Sequence, residues 1–208
     1  MTPDLDAHLR AGAAVFNAGD HHAAHDAWEE PWLGLDAGTD DERLLHGLIQ
    51  YAAAVHHARD SNWAGATTLA PSARDYLDLP EDYRGVELAP VRRYLAALEA
   101  DPEVVERRGP PSIRVDGDVP TLGELPFESG AVAARVYAEA GDWDESVIED
   151  AIRYAERALA EGSETDPFVT HVLDFARDGS HRGIIYQRLS ERVDRERQKE
   201  ADVEGLLE

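Results

Sequence analysis

Apolar residues recur at helical spacing along almost the whole chain. Over residues 3–18, Leu5, Leu9, Ala13 and Phe16 form one stripe, with Thr2 placed to cap and Pro3 at the first helical position. Gly19 closes that helix and Asp20 caps a second, over residues 21–32. Pro31 sits in its last turn and, lacking an N–H, is expected to kink or end it. After a polar loop comes the most apolar segment, residues 44–58, whose apolar and small side chains cover most of its circumference and predict a central buried helix. Asn62 is placed to cap a fourth helix reaching Leu77, which Pro71 is expected to break. A shorter helix follows over residues 90–100.

Residues 109–126 carry four prolines and three glycines and forbid a helix. Ile113 to Val115 has the makings of a short strand, with no sheet nearby to receive it. Helical spacing then resumes, over residues 131–140, over a segment that ends at Gly162 and is capped by Ser146, Asp142 or Asp144, over one opened by Thr165 or Asp166 before Pro167, and over residues 181–199. The pattern predicts an all-α protein, an antiparallel helical bundle with a second helical layer. Its expected division is a helical domain over residues 1–108, a linker over 109–126, a helical extension over 127–199 and a charged, frayed tail over 200–208.

Composition narrows the setting. There is no Cys, which excludes disulfides, thiolate metal sites and cysteine nucleophiles. No apolar run approaches the roughly 18 residues of a membrane span, and the first residues do not read as a secretory signal, so a cytoplasmic protein without a membrane partner is expected. Asp and Glu total 43 against 20 basic residues, of which Lys199 is the one lysine, for a net charge of −23. Such a surface repels phosphate backbones, so no nucleic-acid partner is expected. Lys depletion beside abundant Asp, Glu and Arg resembles the proteins of extreme halophiles, and 43% hydrophobic content is enough for a core, so the acidity does not imply disorder.

The candidate chemistry is concentrated in the first 57 residues, which hold seven of the nine histidines. On the second helix His21, His25, Trp28, Glu29 and Trp32 fall within an arc of about 100°. His25 and Glu29, four apart, can share one divalent ion or one hydrogen bond; His21 begins about 12 Å from Glu29 along the axis and cannot join both. On the central helix His46, Gln50, Ala53 and His57 form a stripe beside the small residues Gly47 and Ala54. If the two faces meet, His25, Glu29 and His46 or His57 converge as two imidazoles and one carboxylate with a position left for water, a set that suits zinc or iron. Gln50 is expected to reach across to Glu29 or His25. His21 and His22 are expected in solvent, and Trp28 and Trp32 as core or interface anchors. No serine-triad order, phosphate-cradling glycine loop or nucleotide fingerprint is present, and the Gly117 turn does not fit a calcium loop.

Two stretches carry a resemblance. Residues 16–32 contain His-x-x-x-Glu-x-x-Trp as His25, Glu29 and Trp32, and residues 45–57 contain Gly-x-Ile-Gln-x-Ala-Ala as Gly47, Ile49, Gln50, Ala52 and Ala53. In these motifs, over roughly residues 5–80, the chain resembles the bacterial and archaeal family called domain of unknown function 309. It departs from that family at Asp26, where Glu is usual, and at Pro31. The resemblance implies an all-helical fold with no established activity and a motif suggested to bind metal. Two functions of different class follow. One is a binding or scaffold module with a structural His/Glu/Gln cluster, for which a homodimer is a candidate form. The other is a metal-dependent, hydrolase-like enzyme with His25 and Glu29 as ligands.

Overall fold

Amphipathic segments joined by short loops pack against their sequence neighbours, and the computed structural model of the chain, which describes residues 4–204, is built that way. It is all-α, with ten α-helices and no strand longer than an isolated bridge among the described residues. Thr2 and Pro3, expected at the first cap, lie outside the described residues. The chain divides into two compact units, Met1–Leu125 and Pro126–Glu208.

In the first unit, α1 (Leu5–Asn17), α2 (His21–Leu33), α3 (Asp40–Arg59), α4 (Trp63–Tyr76) and α5 (Leu88–Ala100) each pack on the next, followed by the short α6 (Val104–Arg107). Asp4 caps α1, its carboxylate accepting from the N–H groups of Asp6 and Ala7. Thr39 caps α3 and Asn62 caps α4 in the same manner. The central position of α3 is as its composition predicts: Leu44, Leu45, Leu48, Tyr51, Val55 and Ala58 are all buried. Gly47 lets α4 close on it, since a Cβ there would stand 2.5 Å from Leu77 Cγ.

Both prolines are absorbed. Pro31 lies inside α2, which ends two residues later. Pro71 does not break α4, which runs continuously through it. Buried Ala66, Ala70 and Ala73 hold α4 between α3 and α5, and that packing outweighs one missing N–H bond.

The Pro/Gly-rich stretch packs onto this first unit up to Leu125. Ile113 and Val115 are buried, and the Asn17 amide clamps the segment, donating to the carbonyls of Ile113 and Pro120 and accepting from the Ile113 N–H at 2.8 Å. Val115 makes only single bridges, with Val86 and Asp118.

The second unit contains α7 (Phe127–Ala140), α8 (Glu145–Ala160), α9 (Pro167–Arg177) and α10 (Arg182–Glu204). Asp144 and Asp166 cap α8 and α9. Val132, Ile148, Ile152, Val172, Phe175, Leu189 and Val193 form its core. Helix α10 continues past Lys199, where the Glu200 carboxylate accepts from Tyr154, Arg153 and Arg157 of α8. Among the described residues no helix is long and apolar enough to cross a membrane.

Candidate metal centre on helices two and three

The register of α2 against α3 decides what meets what. The Trp32 and His46 rings lie 4.8 Å apart between centroids, and so do the rings of His22 and His56. Each helix thus advances ten residues between the two contacts, in opposite directions. By that antiparallel register His25 stands level with Ala53, not with His46 or His57. The five polar residues expected to converge are therefore spread over three places.

His25 and Glu29 form the first, with Asp26. One ligand atom from each of the three lies within 4.8 Å of the other two, the group of this kind found among the described residues. His25 Nδ1–H donates to the His22 carbonyl one turn back, and Nε2 stands 2.9 Å from Asp26 Oδ1. The hydrogen bond to Asp26 is the main cause that raises the His25 pKa to about 9; burial opposes it, and the His22 carbonyl and nearby Glu29 add to it. His25 and Asp26 are half-buried and Glu29 is exposed.

The same arrangement fits a divalent ion. An ion would displace the Nε2 proton that His25 shares with Asp26, while the His22 carbonyl keeps Nδ1–H in place, as around most ligating histidines. The Nε2–Oδ1 separation of 2.9 Å matches neighbouring donors on one ion, about 2.9–3.4 Å for bonds near 2.1 Å. Asp26, the departure from the resembled motif, thus supplies the contact nearest to His25, and Glu29 approaches from the following turn.

His46 and Gln50 form the second place, centred on Glu42, which sequence reasoning missed. Glu42 accepts from Trp32 Nε1–H at 3.0 Å, from the Gly38 N–H at 3.2 Å and from His46 Nδ1–H at 3.2 Å. Gln50 Nε2–H donates to His46 Nε2 at 2.9 Å on its own helix, rather than reaching across to α2. The Tyr76 ring lies over His46 at 4.0 Å. Glu42 is held below the usual carboxylate range, chiefly by the Trp32 hydrogen bond, with burial opposing and Gly38 and His46 adding. Glu42 precedes His46 by four residues, so extending the His46–Gln50 stripe one turn back would have found it.

His57 forms the third place, turned to α4: Asn62 Nδ2 lies 3.1 Å from its Nδ1, and its ring packs where a Gly65 side chain would be. Trp28 is fully buried and Trp32 is anchored on Glu42. His21, expected in solvent, is buried edge-on against Phe16, and burial together with Arg59 lowers its pKa to about 4. His22 is exposed, as expected. His8 is buried and bonds to the Ala27 carbonyl at 2.8 Å, tying α1 to α2.

Residues 9–69 match the family described as Domain of unknown function (DUF309). That segment contains all of α2 and α3, hence every residue of the three places except Tyr76. The second unit lies outside it. The chain is also 30% identical over 97 residues to an uncharacterized protein of Aquifex aeolicus (strain VF5). That alignment covers 46% of this chain and 29% of the relative, so less than a third of the relative's length is matched.

Proposed function

We propose that the first unit is a divalent-metal-binding module, with the ion held by His25, Asp26 and Glu29. The observation that carries this reading is an imidazole nitrogen 2.9 Å from a carboxylate oxygen, with a second carboxylate in reach and the other ring nitrogen held by a backbone carbonyl. The Glu42–His46–Gln50 group is its structural counterpart, a hydrogen-bonded seam that fixes α2 on α3. A bound ion would supply Lewis acidity toward water, on which the hydrolase-like alternative rests. Glu29 leaves that side open to solvent, and binding is the part of the reading that the donor set supports.

Titrating tag-free protein with Zn2+ is expected to show stoichiometric uptake and a stabilisation of about 2.7 kcal/mol at a hundredfold excess over the dissociation constant. His25→Ala should weaken binding by more than about 100-fold, beyond the 10–100-fold that outer partners contribute. Uptake unchanged in His25→Ala and Asp26→Asn would overturn the reading.

The charge supports a chain suited to concentrated salt. Ion pairs such as Arg84 with Asp41 and Arg197 with Asp150 weaken as salt rises, but 43 acidic against 20 basic residues make net repulsion the larger effect. The thermal midpoint and helical circular dichroism are expected to fall when salt is lowered from molar to millimolar. Curves that superimpose across that range would refute this.

A further inference from the structure

A site of one imidazole and two carboxylates on a single helix discriminates poorly among divalent ions, because carboxylates also suit magnesium and calcium. The surroundings of His25 add what that set lacks. The His22 ring lies 5.0 Å from the His25 ring, and the His56 ring of α3 stacks on His22 at 4.8 Å with planes 23° apart. His57 extends the row at 6.0 Å from His56. The row crosses from one helix to the other at His22 and His56, one turn from the level of His25 and Ala53. At its two ends the row is hydrogen-bonded, His25 to the His22 carbonyl and to Asp26, and His57 to Asn62, but in the middle His56 Nε2 makes a long contact, 3.4 Å to Asp60 Oδ2, and His22 contributes its carbonyl, not its ring, to His25. His22, exposed, and His56, half-buried, lie outside the group of three whose ligand atoms already come together, so joining it takes a rotamer change at each.

Building on the metal reading above, we infer that His22 and His56 complete an imidazole-rich site spanning α2 and α3, selective for a late first-row divalent ion such as zinc, nickel or copper. Imidazole nitrogen favours these ions over magnesium and calcium, whose oxygen preference leaves His22 and His56 unused. An ion held this way also pins α3 to α2.

The test is calorimetry on the full, tag-free chain with Zn2+, Ni2+, Mg2+ and Ca2+, together with ring 15N spectra of the histidines. Zn2+ and Ni2+ are expected to bind, while millimolar Mg2+ and Ca2+ give no heat and no thermal shift. His56→Ala and His22→Ala should each weaken Zn2+ binding by at least about tenfold with helical content retained. Ring nitrogens of His22, His25 and His56 should shift with Zn2+, and those of His8 and His46 should stay. If zinc binding vanishes in His25→Ala but persists unchanged in a His22→Ala/His56→Ala double variant, the inter-helix site is refuted while the three-donor reading stands. Equal affinity for Ca2+ also refutes it. Absence of any binding to the wild-type chain refutes both.

Discussion

Trp28→Ala is expected to lower the stability of the first unit by about 3–5 kcal/mol, the range for removing a buried Trp. The indole is wholly buried on α2 and packs over Gly12 of α1, where a Cβ would overlap the ring. Among the described residues its Nε1–H has no hydrogen-bond partner, so the contribution expected of it is volume. Trp28→Phe should therefore cost less than Trp28→Ala, because both remove the unsatisfied donor but Phe keeps much of the volume. Gly12→Ala should destabilise the wild type yet be tolerated beside Trp28→Ala, a coupling that a double-mutant cycle reads directly. Urea denaturation at constant salt measures the wild type and all four variants. A Trp28→Ala loss below about 1 kcal/mol, or additive effects at Gly12 and Trp28, would show that the indole is not the packing anchor of α1 on α2.

Glu42→Ala is expected to cost about 2–4 kcal/mol, because three donors lose one charged acceptor at once. Two of them, Trp32 Nε1–H and the Gly38 N–H, secure the end of α2 and the loop after it; the third orients His46. Glu42→Gln keeps an acceptor but loses the charge and should fall between. The folded protein holds this carboxyl below the usual range, so the unfolded chain takes up its proton first on acidification. The contribution is thus fully present above the ordinary glutamate pKa and is lost as pH falls through the lower folded value. The stability gap between wild type and Glu42→Gln should be constant near neutrality and narrow once the pH falls below the ordinary glutamate range. A gap that widens on acidification contradicts the assignment. Comparing the pair removes the general effect of discharging an acidic surface.

The readings that survived came from local rules. Asn62 was legible as a cap, and Asp144 and Asp166 as one candidate each among neighbours, because a cap needs only a short polar side chain and the N–H groups a few residues on. The burial of α3 was legible from residues 44–58 because an all-round apolar helix has no stable solvated face. His21 was misread for want of a tertiary fact: a position beside a helix N-terminus looks solvated until Phe16 from the preceding helix covers it. Pro71 was misread for the same reason, since propensity is local and the packing that overrides it is not.

Periodicity, capping residues and composition determined by themselves that this chain is helical, where most helices begin and end, and that His25 and Glu29 share a face, because a turn of 100° per residue is set within one helix. Which groups complete that face was decided only by the tertiary structure. The rotation and register of α2 on α3 are set by distant contacts: Trp28 over Gly12, Leu77 against Gly47, Phe16 stacked on Tyr51 at 4.9 Å. Many weak packing contacts, each non-directional, fix those two quantities together. They set His22 against His56 and Trp32 against His46, and so kept His46 and Gln50 away from His25.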